Sequence, residues 1–123
     1  MTNEYNALSP EETYIIINKG TEAPFSGKYD NFFEGGIYVC KQCEAPLYRS
    51  QDKFQSHCGW PSFDRPAEPS VLEERLDRTH GMVRVEIRCS SCDGHLGHLF
   101  PDGPTETGNR YCINGVCLVL KAN

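Results

Sequence analysis

The chain has 123 residues, a formal net charge of -5 and 38% hydrophobic residues, a composition typical of one globular domain. The negative charge argues against a nucleic-acid partner, because affinity for a phosphate backbone comes mostly from clustered Lys and Arg. No apolar run approaches the roughly 20 residues of a membrane span, and residues 1–6 lack the features of an export signal. We therefore expect a single cytoplasmic domain over residues 1–123, with residues 1–8 as a tail and no membrane or nucleic-acid partner.

The first half of the chain predicts one helix and two strands. Ser9 suits an N-cap, Pro10 suits the first helical position, and Glu12 completes a capping box. The helix should end before Lys19-Gly20. Strands are predicted from β-branched and aromatic residues, and the less regular segments predict loops. These assignments are strands at 37–39 and 47–49, a structured loop at 51–64 and an exposed, charged segment at 70–81.

The second half predicts two further strands joined by a loop. The clearest strand alternates between an apolar and a charged face over residues 82–88: Val83, Val85 and Ile87 against Arg84, Glu86 and Arg88. Residues 93–104 are punctuated by Gly and Pro, so they predict a loop, which carries His95 and His98. Residues 109–120 predict the last strand.

The last predicted strand carries a thiol in an unusual setting. Alternation places Arg110, Cys112 and Asn114 on one face and Cys117 on the opposite, core face. A fixed cation favours the nucleophilic thiolate, so Cys112 suits a reactive cysteine. The alternative is that Cys112 is a small buried side chain and Arg110 lies at the wet edge of the strand. The strand pattern alone leaves both interpretations open.

Four of the seven cysteines predict a metal site. Cys40 and Cys43 form one Cys-x-x-Cys pair at the end of a predicted strand, and Cys89 and Cys92 form another. Two such pairs supply four thiolates for one tetrahedral Zn²⁺, and because that site has no open position the ion would be structural. Local disulfides or a redox-active pair are the alternatives, but the two matched pairs in a reducing compartment favour zinc.

Removing the zinc set leaves Cys58, Cys112 and Cys117. Cys58 lies in a Gly-Trp-Pro loop that could fold over the strand bearing Cys112. The two then look like attacking and resolving thiols, since a sulfenic acid on one can be captured by the other as a disulfide.

Three blocks of sequence resemble the signatures of the methionine-R-sulfoxide reductases, the MsrB family. The blocks are Cys58-Gly59-Trp60-Pro61-Ser62-Phe63, His95-Leu96-Gly97-His98 with residues 100–104, and Arg110-Tyr111-Cys112-Ile113-Asn114. The two cysteine pairs and residues 20–27 are also similar to that family, so the resemblance runs from about residue 9 to residue 120. It implies a mainly β fold of two antiparallel sheets (a β-tent), with a short N-terminal helix and a structural zinc site remote from the active site.

The resemblance also implies an activity and its thiols. The expected reaction is reduction of the R epimer of methionine sulfoxide in proteins or peptides, by a monomer that thioredoxin regenerates. Cys112 would attack the sulfoxide sulfur and become a sulfenic acid, and Cys58 would resolve it. His57 could alter the pKa of Cys58, and Cys117 could compete as the resolving thiol if the strand is distorted near Gly115.

Further side chains are assigned by the same resemblance together with the chemistry of the reaction. The sulfoxide oxygen must be protonated, which His95, His98 or a water held by them and Asn114 can do. Trp60 would form the apolar wall for the S-methyl group, with Phe100 as a second candidate. Arg110 would favour the thiolate. The expected metal ligands are Cys40, Cys43, Cys89 and Cys92.

Competing interpretations use some of the same residues. The histidines could cap turns and Trp60 could be a core residue. A zinc-stapled β module could bind a partner through the surface from Trp60 to His98, although this gives no reason for Arg110, Cys112 and Asn114. A nucleic-acid-binding zinc ribbon is disfavoured by the negative charge.

Overall fold

The structure is a computed structural model, and it describes residues 5–21, 35–54, 59–78 and 81–122. Within these ranges no helix is both long and apolar enough to cross a membrane. The regular elements are helix α1 (Pro10–Ile16) and strands β1 (Gly36–Cys40), β2 (Pro46–Arg49), β3 (Lys53–Phe54), β4 (Ser62–Phe63), β5 (Leu72–Asp77), β6 (Arg84–Cys89), β7 (His95–Phe100), β8 (Arg110–Ile113) and β9 (Leu118–Ala122). Short 3-10 turns cover Ser50–Asp52, Pro69–Val71 and Gly115–Cys117.

The predicted helix is present with the predicted start. The Ser9 hydroxyl accepts from the Glu12 backbone N–H at 3.2 Å, and the Glu12 carboxylate accepts from the Ser9 N–H at 2.7 Å, which is a complete capping box. Ile15 and Ile16 are buried against the sheets. Past the helix end, Lys19 adopts a φ of 60°, which turns the chain away from the helix axis.

The strands form two antiparallel sheets, as predicted. The smaller sheet has the order β2-β1-β9 and the larger sheet the order β3-β4-β8-β7-β6-β5. Aromatic rings join the two sheets: Tyr48 of β2 stacks on Phe63 of β4 with 4.3 Å between ring centroids, and Tyr38 of β1 meets the same ring edge-on at 5.3 Å. The main hydrophobic core therefore lies between the sheets. The opposite face of the larger sheet does not belong to this core.

The predicted loop at 93–104 is wrong over six residues near its middle, because His95–Phe100 form strand β7. Gly97 lies in this strand because β7 and β8 approach closely at that position. It lies opposite Ile113 of β8, and a Cβ atom at Gly97 would overlap the Cys112 carbonyl oxygen. Only glycine permits this close approach of two backbones, so a residue that suggested a loop is instead a requirement of the strand pair.

The predicted strand at 109–120 is also wrong as a single element. β8 belongs to the larger sheet and β9 to the smaller sheet, and the 3-10 turn Gly115–Cys117 carries the chain between them. Alternation holds within β8, where Tyr111 and Ile113 are buried and Cys112 is partly exposed. Cys117 is buried as predicted, but the turn, and not strand alternation, puts it there.

Three smaller corrections concern the larger sheet. The segment predicted as exposed is exposed over Glu73–Leu76, but it forms edge strand β5 and ends at the buried Asp77. The structured loop contains the two-residue strands β3 and β4. Strand β6 begins at Arg84, so Val83 lies outside it and is 71% exposed, whereas Glu86 on the predicted charged face is only 2% exposed. The side chains of Lys19, Arg88 and His95 lie against the buried Glu86 carboxylate.

The close approach at Gly97 generates a stability prediction. We expect Gly97→Ala to lower the free energy of unfolding by about 2–3 kcal/mol, because the new methyl group must push β7 from β8. Gly108→Ala is the control, since that site is open but has a φ of 70°, and we expect it to cost about 1 kcal/mol from backbone strain alone. Urea unfolding measures both variants. Equal losses would contradict the backbone contact.

Candidate active site and metal centre

The two Cys-x-x-Cys pairs form structurally matched turns between neighbouring strands. In the β1–β2 turn, the Glu44 N–H donates to the Cys40 carbonyl at 2.8 Å; in the β6–β7 turn, the Asp93 N–H donates to the Cys89 carbonyl, also at 2.8 Å. Glu44 and Asp93 both adopt a left-handed conformation, with φ of 65° and 62°. Each turn therefore directs its two cysteines to the same side, and the two turns face each other.

The four thiols converge into one cluster that could hold a metal ion. All four Sγ atoms lie within 4.8 Å of one another, with 3.6 Å between Cys40 and Cys92 and 3.5 Å between Cys43 and Cys89. Zinc–sulfur bonds of about 2.3 Å in a tetrahedron place sulfur atoms about 3.8 Å apart. The cluster is therefore compatible with zinc in composition, distances and burial.

Thiol hydrogen bonds inside the cluster separate its pKa values. The hydrogen bonds that the Cys92 sulfur receives from Cys40 and Cys89 lower its pKa to about 2. The hydrogen bond to Cys89 is the largest cause that raises the pKa of Cys40, with the bond to Cys92 and burial acting in the same direction. Without a cation the cluster thus favours a shared proton arrangement, whereas a thiophilic cation would stabilise all four thiolates.

A β-bulge follows each cysteine turn, seven residues after its first cysteine. The register shifts in β1–β2 and β6–β7 leave Leu47 and Leu96 as extra residues, and both are fully buried. In β7 the extra residue has a chemical consequence. His95 and His98 would face opposite ways in a regular strand, but the bulge returns both to one face, where their ring centroids lie 5.5 Å apart.

Asn114 fastens the bulge to the end of β8. The Leu96 carbonyl accepts from the Asn114 backbone N–H at 2.9 Å and from its side-chain amide at 3.0 Å. The neighbouring His95 carbonyl accepts from the Cys117 thiol at 3.2 Å. Carbonyls that leave the strand ladder at the bulge are therefore satisfied by the turn that follows Cys112.

A cavity of about 200 Å³ opens on the face of the larger sheet that carries these groups. It is lined by Thr21, Trp60, Arg84, Gly97, His98, Phe100, Arg110, Cys112 and Asn114. Six of these residues were predicted site residues, and His95 lies buried beside His98. Thr21, Arg84 and Gly97 were not predicted. Cys58 and His57 lie outside the described residues.

Cys112 sits in the middle of a row of residues that crosses the sheet. His98 of β7 is its direct partner on one side and Ser62 of β4 is its partner on the other, while Glu86 of β6 is the partner of His98. Residues paired directly across antiparallel strands have Cβ atoms about 4.5–5.5 Å apart. The imidazole of His98 is therefore a direct neighbour of the thiol.

Each histidine is paired with a buried carboxylate. His98 Nε2 lies 2.7 Å from Asp77 Oδ2, and His95 Nδ1 lies 2.8 Å from Glu86 Oε2. Burial lowers the pKa of both histidines below the ordinary value, although the hydrogen bonds to the carboxylates oppose this effect. Both imidazoles are thus held neutral near pH 7, each donating one N–H to its carboxylate.

Sequence reasoning missed both carboxylates. Asp77 fell in a segment predicted as exposed, and Glu86 was placed on a charged outer face of its strand. The alternating pattern of β6 could have indicated Glu86, because Glu86 and Arg88 share one face of the strand. That face could be either exposed or buried, and a buried carboxylate was one of these two possibilities. The partner strand was needed to show which outcome holds.

Arg110 also lines the cavity, where it contacts Asp102 and Phe100. Its guanidinium makes a bidentate pair with Asp102 at 2.7 and 3.2 Å, and its Cζ lies 4.4 Å from the centroid of the Phe100 ring. Hydrogen bonds from Arg110 lower the pKa of the Asp102 carboxyl group. The cation on the face of Cys112 is therefore partly neutralised and held in place.

Comparison with known proteins decides the family. The SelR domain model matches residues 8–122. A peptide methionine sulfoxide reductase MsrB from Agrobacterium fabrum is 54% identical over 114 residues, which cover 93% of this chain and 84% of that protein. One from Pseudomonas syringae pv. syringae is 57% identical over 113 residues, covering 92% and 86%. The chain belongs to the MsrB family.

Family membership confirms the resemblance seen in the sequence. The structure brings together most of the residues that the MsrB signatures named, namely Trp60, His95, His98, Phe100, Arg110, Cys112 and Asn114, around one cavity or directly behind it. It holds the four cysteines of the other motif in a separate cluster. The MsrB signatures thus fall into two structural groups, a four-cysteine cluster that could hold a metal ion and a cavity with a thiol.

The histidine–carboxylate pairs generate a prediction for this MsrB protein. We expect Asp77→Asn to lower the pKa of His98 further, because the carboxylate now opposes the effect of burial, and Glu86→Gln to do the same for His95. Proton–nitrogen NMR spectra recorded between pH 4 and 8 would measure both titrations. Unfolded histidines bind protons near pH 6.5 when the folded ones do not, so the wild type should lose stability as the pH falls below that value.

Glu73→Gln is the matched control, because Glu73 lies on the same strand as Asp77 but pairs with Arg75. It should leave both histidine titrations unchanged. A rise in the pKa of His98 on removal of the Asp77 charge would contradict the assigned pair.

Proposed function

We propose that this protein is a peptide-methionine (R)-S-oxide reductase, which returns the R epimer of methionine sulfoxide in peptides and proteins to methionine and so repairs oxidised proteins. The observation that carries the proposal is the position of Cys112: a partly exposed thiol in an aromatic-walled cavity, directly opposite His98. Membership of the MsrB family and the names of the relatives support the same reaction.

The first step transfers the sulfoxide oxygen to Cys112. The thiolate attacks the sulfoxide sulfur and forms a sulfur–sulfur bond, while the oxygen takes up a proton. The hydroxyl group then moves to the Cys112 sulfur as the sulfur–sulfur bond and the original sulfur–oxygen bond break. The products are methionine, reduced by two electrons, and a sulfenic acid on Cys112, oxidised by two electrons. The thiol proton is conserved in this step, because it leaves the sulfur and ends on the transferred oxygen.

His98 is the residue that we propose to carry that proton. Its Nε2–H is committed to Asp77 in the neutral form, so Nδ1 keeps a lone pair that can accept the Cys112 proton. The imidazolium that forms is stabilised by the Asp77 carboxylate, and it can then protonate the sulfoxide oxygen. His95 and Asn114 support this step by holding the bulge of β7 in place and by positioning water.

The second step regenerates the thiol through Cys58. The Cys58 thiol attacks the sulfenic acid, which gives a disulfide and releases the oxygen as water; a dithiol such as thioredoxin then reduces the disulfide. Trp60, two residues further along the chain, lines the cavity, which supports the choice of Cys58 as the resolving thiol. Cys117 is a weaker candidate, because it is fully buried with its thiol bonded to the His95 carbonyl.

Trp60 and Phe100 provide the apolar walls of the cavity, and we propose that they hold the S-methyl group of the substrate. Arg110 would favour the Cys112 thiolate, as its position on the same face of β8 suggests. Its bidentate pair with Asp102 reduces this effect, so we assign Arg110 mainly to fixing the Phe100 ring.

We further propose that Cys40, Cys43, Cys89 and Cys92 bind one structural Zn²⁺. When bound, the ion would cross-link the two cysteine turns without an open position for chemistry. Four clustered thiols suit a reducing compartment, which supports a cytoplasmic location. We propose that the protein acts as a monomer, because one chain supplies both Cys112 and His98 to the cavity.

Turnover of separated epimers tests the function. We expect the wild-type protein to reduce only the R epimer of a blocked methionine sulfoxide with dithiothreitol, and Cys112→Ser to lose at least about 10³-fold of that rate because the nucleophile is removed. Cys117→Ser is the matched control and should keep the activity. No turnover of either epimer by folded, zinc-loaded protein would overturn the reductase assignment.

The resolving step has its own test. Cys58→Ser should still release one equivalent of methionine per chain but should lose recycling by thioredoxin, because no disulfide can form. Single-turnover and steady-state assays separate the two steps. Full recycling in Cys58→Ser that disappears in Cys58→Ser/Cys117→Ser would identify Cys117 as the resolving thiol instead.

Removal of a ligand tests the metal centre. We expect Cys89→Ser to lose bound zinc and to lower the free energy of unfolding by roughly 4 kcal/mol or more, as is typical when a structural metal is lost. Cys117→Ser is buried but is not a ligand, so it should retain one zinc per chain. Metal analysis combined with urea unfolding gives both values, and an equally stable metal-free protein would contradict a structural role.

A further inference from the structure

Arg84 lines the active-site cavity but has no part in the chemistry described above. It is the first residue of β6, directly opposite Asp77 of β5, and its side chain is 23% exposed. A guanidinium at the wall of a small cavity brings up to five hydrogen-bond donors to any ligand there. The contacts that Arg84 already makes decide whether those donors are available.

The described part of the protein leaves much of the Arg84 guanidinium unused. Its Nη2 lies 3.7 Å from Asp77 Oδ2, which is too long for a hydrogen bond, and His98 already occupies that oxygen at 2.7 Å. Its Nε is buried and has no acceptor among the described residues. Because Nε is buried, an oxygen acceptor in the cavity would meet the Nη donors, and the 3.7 Å contact with Asp77 leaves Nη2 without a hydrogen bond to that carboxylate.

Arg110 shows the contrast within the same cavity. It forms a bidentate pair with Asp102 and lies against the Phe100 ring. Because Val85 pairs with Leu99 and Phe100 pairs with Arg110, the register places Arg84, Phe100 and Arg110 in one row across the sheet. Arg84 and Arg110 therefore flank the Phe100 ring. The Arg110 guanidinium is hydrogen-bonded to Asp102, whereas the Arg84 guanidinium has no hydrogen bond to Asp77.

The position of Arg84 determines which part of a substrate it meets. Arg84 lies two residues along the strand direction and two strands across from Cys112. The Cα atoms of Arg84 and Cys112 are therefore roughly 12 Å apart. A sulfoxide that reacts at Cys112 occupies the other end of the cavity. Arg84 therefore faces the part of the ligand that trails behind the reacting side chain.

We propose that Arg84 is a substrate-binding residue whose guanidinium donates to a main-chain carbonyl oxygen of the peptide that carries the oxidised methionine. This inference rests on the reductase function proposed above. Trp60 and Phe100 would hold the S-methyl end, and Arg84 would hold the main chain, so that the side chain spans the distance between them. Peptide-bound substrate is then preferred over a small sulfoxide without a main chain.

Two substrates and two variants test the proposal. The R epimers are N-acetyl-methionine sulfoxide N-methylamide, which has main-chain carbonyls, and ethyl methyl sulfoxide, which has only the reacting group. Arg84→Met removes the donors and keeps the length of the side chain, and Arg84→Lys keeps only the charge. Arg78→Met, an exposed arginine just beyond β5, is the matched control. Circular dichroism and zinc content verify the fold of each variant.

We expect Arg84→Met to raise the KM for the amide roughly tenfold or more, which corresponds to a lost hydrogen bond from a charged donor, with kcat within about twofold. The values of kcat/KM for ethyl methyl sulfoxide should not change. Arg84→Lys should fall between the wild type and Arg84→Met, and Arg78→Met should match the wild type. An equal loss on both substrates, with a shifted pH profile, would instead make Arg84 a positioning residue for His98 through Asp77 and overturn the proposal.

A binding measurement separates this inference from the reaction itself. Trp60 is the single tryptophan of the chain and lines the cavity, so its fluorescence in Cys112→Ser reports binding without turnover. Adding Arg84→Met should weaken binding of the amide roughly tenfold. An effect on N-acetyl-methionine sulfoxide with a free carboxylate but not on the amide would assign Arg84 to a carboxylate, and no effect on either would also overturn the proposal. Wild-type protein that fails to reduce either sulfoxide would overturn the reductase function and this inference together.

Discussion

The convergence of four thiols between the two sheets is the contact on which the rest of the structure depends. Cys40 ends a strand of the smaller sheet and Cys89 ends a strand of the larger sheet, so the cluster ties together the two sheets where their turns meet. Stacking of Tyr48 on Phe63 holds the sheets together in the core. A metal ion held by these thiols would cross-link the two sheets, which matters in a chain of 123 residues whose single core is modest in size.

The four-cysteine cluster and the candidate active site are connected through backbone that they share. The β6–β7 turn that carries Cys89 and Cys92 leads directly into His95, and the bulge at Leu96 follows at once. Arg88 reinforces this connection: it donates to the Asp93 carbonyl at 2.6 Å and to Glu86 at 2.7 Å, and Glu86 in turn holds His95. A zinc ion bound by the four cysteines would have no open coordination position, so it would support the chemistry at Cys112 only through this shared backbone.

The polar face of the larger sheet shows how one fold can bury several charges. Glu86 is nearly inaccessible but has His95, Arg88 and Lys19 within 3.4 Å. Burial alone would raise the pKa of Glu86, but the hydrogen bond from His95 and the charge of Arg88 outweigh it and lower the pKa. The carboxylate is therefore ionised when it orients the imidazole, and removing one partner would leave an uncompensated charge in the interior.

Short-range chemistry determined a large part of this protein from the sequence alone. The capping box at Ser9 and Glu12, the two Cys-x-x-Cys turns and the alternation of Tyr111, Cys112 and Ile113 each depend on residues at most a few positions apart, so their spacing sufficed. The signature blocks identified the family for the same reason. These features fixed the helix, the thiol cluster and the candidate nucleophile before any tertiary contact was known.

Tertiary structure decided what depends on partners distant in the chain. Gly97 suggested a loop, but its role is to let β7 approach β8 at Cys112, and only the strand pairing could reveal that. The bulge at Leu96 puts His95 and His98 on the same face of β7, since a one-residue shift in register moves a side chain to the other face. Asp77, Glu86 and Arg84 entered the site because β6 lies beside β7 and β5 lies beside β6, a proximity that sequence spacing does not encode.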